Sequence, residues 1–139
     1  MATPFSVPAA ATKLVAVVFG TIVLTAIALA GLIVAAGRAD WWAPFAVATG
    51  VTVVAAVLSI TPMVLSLGRG PAASAVAHMI ATGVRVVISL GGCFVIAKLR
   101  GLPMAPTLLF MMPYYLTVLA AESTMLARSI RQESLSKRV

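Results

Sequence analysis

Three ionisable residues stand inside otherwise apolar stretches of this sequence: His78, Arg85 and Glu122. Arg85 follows His78 by seven residues, so in a helix both side chains project from one face, about 10 Å apart. An arginine near the middle of a bilayer costs at least a few kcal/mol unless it is paired or reaches water. Glu122 is the only acidic residue within another apolar stretch. The spacing therefore predicts a polar stripe between two helices, in which Arg85 meets Glu122 or a tyrosine hydroxyl.

Two tyrosines complete this predicted stripe, because Tyr114 and Tyr115 fall near the depth of Arg85. Three roles are open to it. It can clamp neighbouring helices in register, it can contact a polar residue of a partner membrane protein, or it can conduct protons or ions. Conduction usually requires several carboxylates or histidines in relay, and this chain has few. The clamp is therefore favoured over the other two roles.

Composition places these residues in a membrane. Of the 139 residues, 62% are hydrophobic and only 9% are charged, whereas about a quarter are charged in globular proteins. The net charge of +7 comes from basic residues at segment ends and in the tail, without interleaved aromatic residues. That pattern argues against a nucleic-acid partner and indicates anchoring to membrane lipids. The single cysteine, Cys93, excludes an intrachain disulfide.

Four apolar runs are each long enough to cross the hydrocarbon core as a helix. Because the links between them are short, consecutive helices must be antiparallel. The predicted fold is an all-α, integral membrane four-helix bundle built from two transmembrane hairpins. The first run exceeds a signal-peptide core of roughly 7 to 15 residues, which favours a retained helix over a cleaved leader. The predicted helices cover residues 14–36, 43–67, 72–97 and 106–127, between an N-terminal lead of residues 1–13 and a basic tail of residues 128–139.

The basic residues also predict the orientation, because lysine and arginine are retained on the cytoplasmic side. With the N-terminus inside, Lys13, Arg69 and the four basic residues of the tail lie inside. Arg38, Lys98 and Arg100 then lie outside. This excess predicts that both termini are cytoplasmic, in a bacterial inner membrane. The tail is expected to extend the fourth helix, held by anionic lipid or docked on a soluble partner.

Small residues are expected at sites where helix backbones approach closely. We expect them to pack helices of the same chain, although Gly91 and Gly92 can instead accept the helix of a neighbouring subunit. The candidates are Ala46, Gly50, Gly83, Gly91 and Gly92.

Sequence motifs for catalysis are missing from this chain. It contains no phosphate-binding loop, nucleophile triad or zinc-ligand spacing. We therefore expect no catalytic residues, no metal site, no cofactor and no enzymatic activity.

Residues 43–128 resemble ATP synthase protein I. The resemblance rests on a glycine–proline turn at residues 68–71, a third helix with the basic Arg85 at its middle, and a fourth helix that ends in a basic tail. In that family a short run with a central lysine or arginine occupies the third helix, and Arg85 matches that position within residues 81–87. The resemblance implies a non-catalytic accessory protein that assists assembly of the c ring of the F1Fo ATP synthase. Its implied partners are the c or a subunits, with magnesium or calcium supply sometimes proposed.

Two other classes share these sequence features. A small multidrug-type transporter also has four helices and works as a dimer, but it carries a carboxylate in its first helix, where residues 14–36 have none. Glu122 is the only substitute for that carboxylate in a homo-oligomeric proton-coupled or ion transporter. A structural accessory subunit of a respiratory or photosynthetic complex is the third possibility.

Overall fold

The computed structural model describes residues 7–66 and 69–136, and within these ranges the chain is helical without strands. A 3-10 turn, Ala39–Trp41, precedes the second of four α-helices. Each helix contains an apolar segment of 22 to 29 residues, long enough to span a membrane. The predicted all-α bundle with four membrane-spanning helices is confirmed. The helices are α1 (Val7–Ala36), α2 (Trp42–Ser66), α3 (Pro71–Arg100) and α4 (Met104–Ser136).

The helices extend further than predicted at several ends. Residues 7–13, assigned to the N-terminal lead, form the first turns of α1, because a single lysine at a membrane boundary does not interrupt backbone hydrogen bonding. At the other end of the chain α4 continues to Ser136, as expected for the tail. Residues 1–6, 67–68 and 137–139 lie outside the described residues, and so do the predicted helix end at residue 67 and two basic residues of the tail.

Each described link between helices contains a glycine with positive φ. Gly37 and Gly101 both have φ +63°, and Gly70 has φ +93°. Residues other than glycine are strained at such positive φ angles. At Gly101 the left-handed residue ends α3, and its N–H bonds the carbonyl of Lys98. These short turns explain why successive helices run antiparallel.

The link before α2 is held by an ion pair at the surface. The guanidinium of Arg38 donates to both carboxylate oxygens of Asp40, at 2.9 and 2.8 Å, and lies 4.6 Å from the ring centre of Trp41. The hydrogen bond to Asp40 raises the pKa of Arg38 above its ordinary value. Because the pair is exposed, it contributes little to stability. Its role is local, in orienting the turn beside an aromatic residue suited to the membrane boundary.

The four helices form a bundle in which α2 and α4 each contact the other three helices. Among the described residues, α1 and α3 have no extensive contact and occupy opposite corners. Many large apolar side chains point outward, including Leu24 (70% exposed) and Met79 (74% exposed). In water this surface would be unstable, whereas in a bilayer it faces lipid. This is the architecture of a multi-pass membrane protein.

The small residues behave differently from the prediction. At Gly92 a Cβ atom would lie 3.0 Å from Cγ1 of Val51, so α3 approaches α2 closely there. At the other three glycines no such approach occurs, because an added Cβ would meet no atom within 4 Å. The prediction that these residues pack helices of the same chain is therefore wrong for four of the five positions. The four that are exposed instead are Ala46, Gly50, Gly83 and Gly91.

Buried alanines, rather than these residues, lie where the helices pack closely against each other. Ala55 of α2 and Ala81 of α3 are completely buried, and Ala48 is as well. Small side chains at these positions let the helix backbones come together. The alternative prediction, contact of Gly91 with a neighbouring subunit, stays open because its face is exposed.

Candidate functional site

The centre of the bundle contains a buried ion pair between α3 and α4. Nη1 of Arg85 donates to Oε2 of Glu122 at 2.7 Å, and Nη2 donates to Oε1 at 2.6 Å. Only 2% of Arg85 and 1% of Glu122 is exposed. Two parallel N–H···O bonds of this kind are the strongest arrangement available to an arginine and a carboxylate. Of the two predicted partners for Arg85, the structure shows Glu122 and not a tyrosine.

Ser59 of α2 is the third member of this site. Nη2 of Arg85 also donates to the hydroxyl oxygen of Ser59 at 2.6 Å. The Ser59 hydroxyl donates in turn to the carbonyl of Ala56 at 3.0 Å, which leaves its oxygen free to accept from the guanidinium. We call Arg85, Glu122 and Ser59 the Arg85 cluster. It joins α2, α3 and α4 at one level of the bundle.

Sequence reasoning missed Ser59. Its only signal was a serine within the apolar run of α2, and serines in membrane helices commonly satisfy their own backbone carbonyls without any other role. Which helix face it occupies relative to Arg85 depends on how α2 packs on α3. That contact is long-range, since the partners are 26 positions apart, so spacing along the chain carries no information about it.

The cluster is electrically neutral as a unit, which explains how it is tolerated in an apolar interior. Separating the charges leaves one of them buried without a partner, at a cost of about 3 to 5 kcal/mol. Replacing both by apolar side chains of similar volume is often neutral by comparison. The cluster therefore contributes less to overall stability than to the choice of which helices are neighbours. This geometry is that of the predicted inter-helix clamp.

One face of α3 carries further buried polar atoms beside the cluster. A guanidinium has five N–H donors, and Nε of Arg85 has no hydrogen-bond partner in the described part of the chain. The same holds for Oγ1 of Thr82 and Nδ1 of His78. His78 was predicted to belong to one stripe with Arg85 and Glu122. The face is shared, but no hydrogen bond within the described residues joins His78 to Glu122.

The predicted tyrosines are not part of the Arg85 cluster. Tyr114 is completely buried, and its hydroxyl lies 2.7 Å from Oγ1 of Thr49 on α2. Thr49 donates to the carbonyl of Phe45 at 2.8 Å, so it accepts the hydrogen bond from Tyr114. This is a second polar contact between helices, separate from the first. The structure therefore contains two separate polar contacts where a single stripe was predicted. Tyr114 bonds Thr49 on α2, whereas Arg85 bonds Glu122 on α4.

Tyr115 instead lines an apolar groove of about 560 Å³ between α3 and α4. The groove is bounded on the α3 side by Val86 and Leu90 and on the α4 side by Leu108 and Met112. Among the described residues that line it, Ser89 and Tyr115 alone carry hydroxyl groups. Such a lining suits hydrocarbon rather than an ion.

Within residues 7–66 and 69–136, no group of three or more His, Cys, Asp or Glu side chains is placed to hold a metal ion. The buried sulfur of Cys93 lies 3.0 Å from that of Met111, which packs α3 against α4.

Comparison with known proteins finds no matching family model, no matching curated protein and no matching solved structure. The function is therefore inferred from the residues and geometry of this chain.

Proposed function

We propose that the protein is a non-catalytic membrane accessory protein that assists assembly or stability of the c ring of the F1Fo ATP synthase. The observation that supports this is the internal pairing of Arg85, the position that matches the central basic residue of ATP synthase protein I. Arg85 is bound by Glu122 and Ser59 of the same chain. Its charge is used to hold the bundle together. The outer surfaces are then available for contact with other membrane helices.

The side of α3 opposite Arg85 is the best candidate for such a contact. Gly83, Val87 and Gly91 follow one another at four-residue spacing and are exposed, and four residues make slightly more than one helical turn. Val87 is 71% exposed, and a Cβ at either glycine would meet no atom within 4 Å. We call these three residues the outer face of α3. Small residues on an apolar helix allow another helix to approach closely, and the proposed occupant is a c or a subunit.

The proposed orientation places both termini in the cytoplasm of a bacterial cell. Since the helices are antiparallel, Lys13, Arg69 and Arg128 lie at one end of the bundle. Arg38 and Arg100 lie at the other end, where Lys98 is also found. Arg131, further along α4, extends the first group. Anionic headgroups attract such residues by about 1 kcal/mol each near the membrane surface.

Crosslinking in native membranes tests the proposed partner. A photoreactive p-benzoylphenylalanine replaces Val87 on the outer face of α3 in cells that contain the ATP synthase. Leu24 on α1, which is 70% exposed, is the matched lipid-facing control position. We expect crosslinks from position 87 to a c or a subunit, identified by mass spectrometry, and none from position 24. Crosslinks only to a second copy of this chain would contradict the proposal.

A pair of variants tests whether the small residues create the contact. Gly83→Leu combined with Gly91→Leu fills the outer face of α3, whereas Gly20→Leu combined with Gly31→Leu fills α1 equally. All four positions are open in the structure, so both variants are expected to fold. We expect co-purification of c subunits to fall with the α3 pair and to persist with the α1 pair. Equal recovery from both variants would show that the α3 face is not the contact.

A homo-oligomeric proton-coupled or ion transporter is the second candidate. The observation that favours it is the carboxylate of Glu122, since an ionisable residue inside a membrane span is by default a functional-site candidate. Reconstitution in liposomes with a pH-sensitive dye tests it. Proton flux that is present in the native protein and lost in Glu122→Gln would favour this candidate over the first. A structural subunit of another complex would show itself as a different partner in the crosslinking experiment.

A further inference from the structure

Three buried polar atoms on α3 form a series that the Arg85 cluster does not use. Nδ1 of His78, Oγ1 of Thr82 and Nε of Arg85 each lack a hydrogen-bond partner within the described ranges. More than nine in ten buried backbone groups, and most buried side-chain polar atoms, have a partner in a protein or in ordered water. Three exceptions on one helix therefore require an explanation. Since they occur together, a common ligand is the simplest one.

Thr82 behaves differently from two threonines of α2. Thr49 and Thr52 donate to the carbonyl oxygens of Phe45 and Ala48, four residues earlier, at 2.8 and 2.7 Å. Thr82 makes no such bond, although the carbonyl of His78 stands in the equivalent position. A hydroxyl that does not bond its own helix is available to donate and accept elsewhere.

The spacing of the three residues along α3 suits a short file of water molecules. Positions 78, 82 and 85 lie on one helical face, with axial rises of about 6 and 4.5 Å between them. Hydrogen-bonded oxygen atoms are about 2.8 Å apart, so one bridging water covers up to about 5.6 Å, close to each of these rises. The chemistry also fits, because an imidazole nitrogen and a hydroxyl both form hydrogen bonds with water and Arg85 Nε is a donor. Buried waters typically make about three such bonds.

His78 provides an entrance to this face. Its side chain is only half-buried although Nδ1 is enclosed, so the imidazole ring reaches from the surface into the bundle. It lies seven residues from the start of α3, about 10 Å into the bundle. Arg85 is almost fully enclosed and lies beyond Thr82. Along this face of α3, exposure therefore falls from the partly exposed His78 to the buried Arg85.

We propose that a file of water molecules enters the bundle beside His78, is held by Thr82 and ends at Nε of Arg85. The Arg85–Glu122 pair is then hydrated from the end of the bundle at which α3 begins. This inference goes beyond the accessory role and does not depend on which partner the outer face of α3 binds. It assigns a water-binding site to residues that the clamp alone leaves without a function.

Water-edited solid-state NMR of the isotopically labelled full chain in lipid bilayers tests the proposal. This method measures how fast magnetisation passes from water to each residue. We expect transfer to Thr82 and to Arg85 Nε to approach that of Gly70 in the link before α3. Ala81, completely buried on the same turn, is the dry reference. Transfer to Thr82 as slow as transfer to Ala81 would overturn the proposal.

Two valine substitutions test the role of the Thr82 hydroxyl. Thr82→Val removes an atom of the proposed water file, whereas the control Thr52→Val removes a buried hydroxyl bonded to its own helix. We expect slower transfer to Arg85 Nε in Thr82→Val alone. Unchanged transfer in Thr82→Val would show that water does not pass along this face.

Thermal unfolding of Thr82→Val is an independent test, because a dry hydroxyl and a hydrated hydroxyl predict different shifts of the midpoint temperature. If the Thr82 hydroxyl is dry and unpaired, Thr82→Val removes an unsatisfied polar group and raises the midpoint temperature. If the hydroxyl binds water, the substitution leaves the midpoint unchanged or lowers it. We expect the second result, and a raised midpoint would contradict the proposal.

Discussion

The two halves of the bundle are held together by different kinds of contact. One half contains the Arg85 cluster, in which hydrogen bonds of 2.6 to 2.7 Å join three helices. The other half, near the α1–α2 and α3–α4 links, contains an aromatic cluster of Trp41, Phe45 and Phe110. The ring of Phe110 meets those of Trp41 and Phe45 edge to face, with centroids 5.8 and 6.0 Å apart.

The difference shows how a small bundle can be specified in a solvent that is itself apolar. Lipid tails are as apolar as a protein core, so the aromatic half is stabilised by packing and not by release of water. Many alternative arrangements of apolar side chains would bury similar surfaces. Arg85, in contrast, has one carboxylate to meet, and any arrangement that separates it from Glu122 leaves a buried charge. The charged half therefore selects the register of the helices, and the aromatic half stabilises that register by packing.

Breaking the charged half should have the largest effect. Glu122→Ala leaves the guanidinium buried without its counter-charge, and we expect a loss of about 3 to 5 kcal/mol in the free energy of unfolding. Reversible unfolding by detergent titration in mixed micelles measures this loss. Arg85→Leu combined with Glu122→Leu is the control, because both charges then leave together. The interpretation is wrong if the double variant is as unstable as the single one.

Breaking the aromatic half should cost less. Phe110→Ala removes a ring that is 3% exposed and its edge contacts with two neighbours. We expect a loss of about 2 kcal/mol, below the range for soluble cores, because no surface is returned to water. The adjacent Leu109 is 60% exposed, so Leu109→Ala is the control with little expected effect. A loss from Phe110→Ala larger than that from Glu122→Ala would reverse the proposed ranking of the two halves.

The close approach of α2 and α3 offers a smaller test through two neighbouring glycines. Gly92→Ala places a Cβ 3.0 Å from Val51, which must move by a few tenths of an ångström. Gly91→Ala meets no atom within 4 Å. We expect Gly92→Ala to be less stable than Gly91→Ala by about 1 kcal/mol. Equal stability in the same detergent titration would show that the α2–α3 contact adjusts freely.

The neutral hydrogen bond between α2 and α4 should have the smallest effect. Tyr114→Phe removes the hydroxyl that bonds Thr49, and inter-helix hydrogen bonds in membranes contribute about 0.6 kcal/mol on average. Tyr115→Phe is the control, since Tyr115 lines the apolar groove and was found outside both polar contacts. A loss from Tyr114→Phe that approaches the loss from Glu122→Ala would mean that charge is not what distinguishes the two polar contacts.

Much of the fold followed from the sequence, and the exceptions have physical causes. Four apolar runs with short links predicted four antiparallel helices, because length and hydropathy are local properties. The ends were placed less well, since a charged residue such as Lys13 or Lys98 marks a membrane boundary without ending a helix. The outward positions of Gly50 and Gly83 were missed because a small residue suits close packing against its own chain, a partner or lipid alike.

The candidate site was predicted only in part, for a similar reason. Arg85 and Glu122 were singled out because a charge in an apolar run requires a partner wherever the chain folds. Ser59 and Thr49 carried no such requirement. Tyr114 was assigned by depth to the same stripe as Arg85, but depth along a helix does not say which neighbour a side chain faces.

Composition and spacing along the chain predict a membrane environment, four helices and a buried charge that must be neutralised. The packing of the helices selects Glu122 as the group that neutralises this charge, adds Ser59 to the Arg85 cluster and pairs Tyr114 with Thr49. These two kinds of information differ because the interactions behind them act over different distances along the chain. Backbone hydrogen bonds and hydropathy act over a few residues, whereas the rotation and pairing of four helices depend on contacts between residues 26 to 65 positions apart.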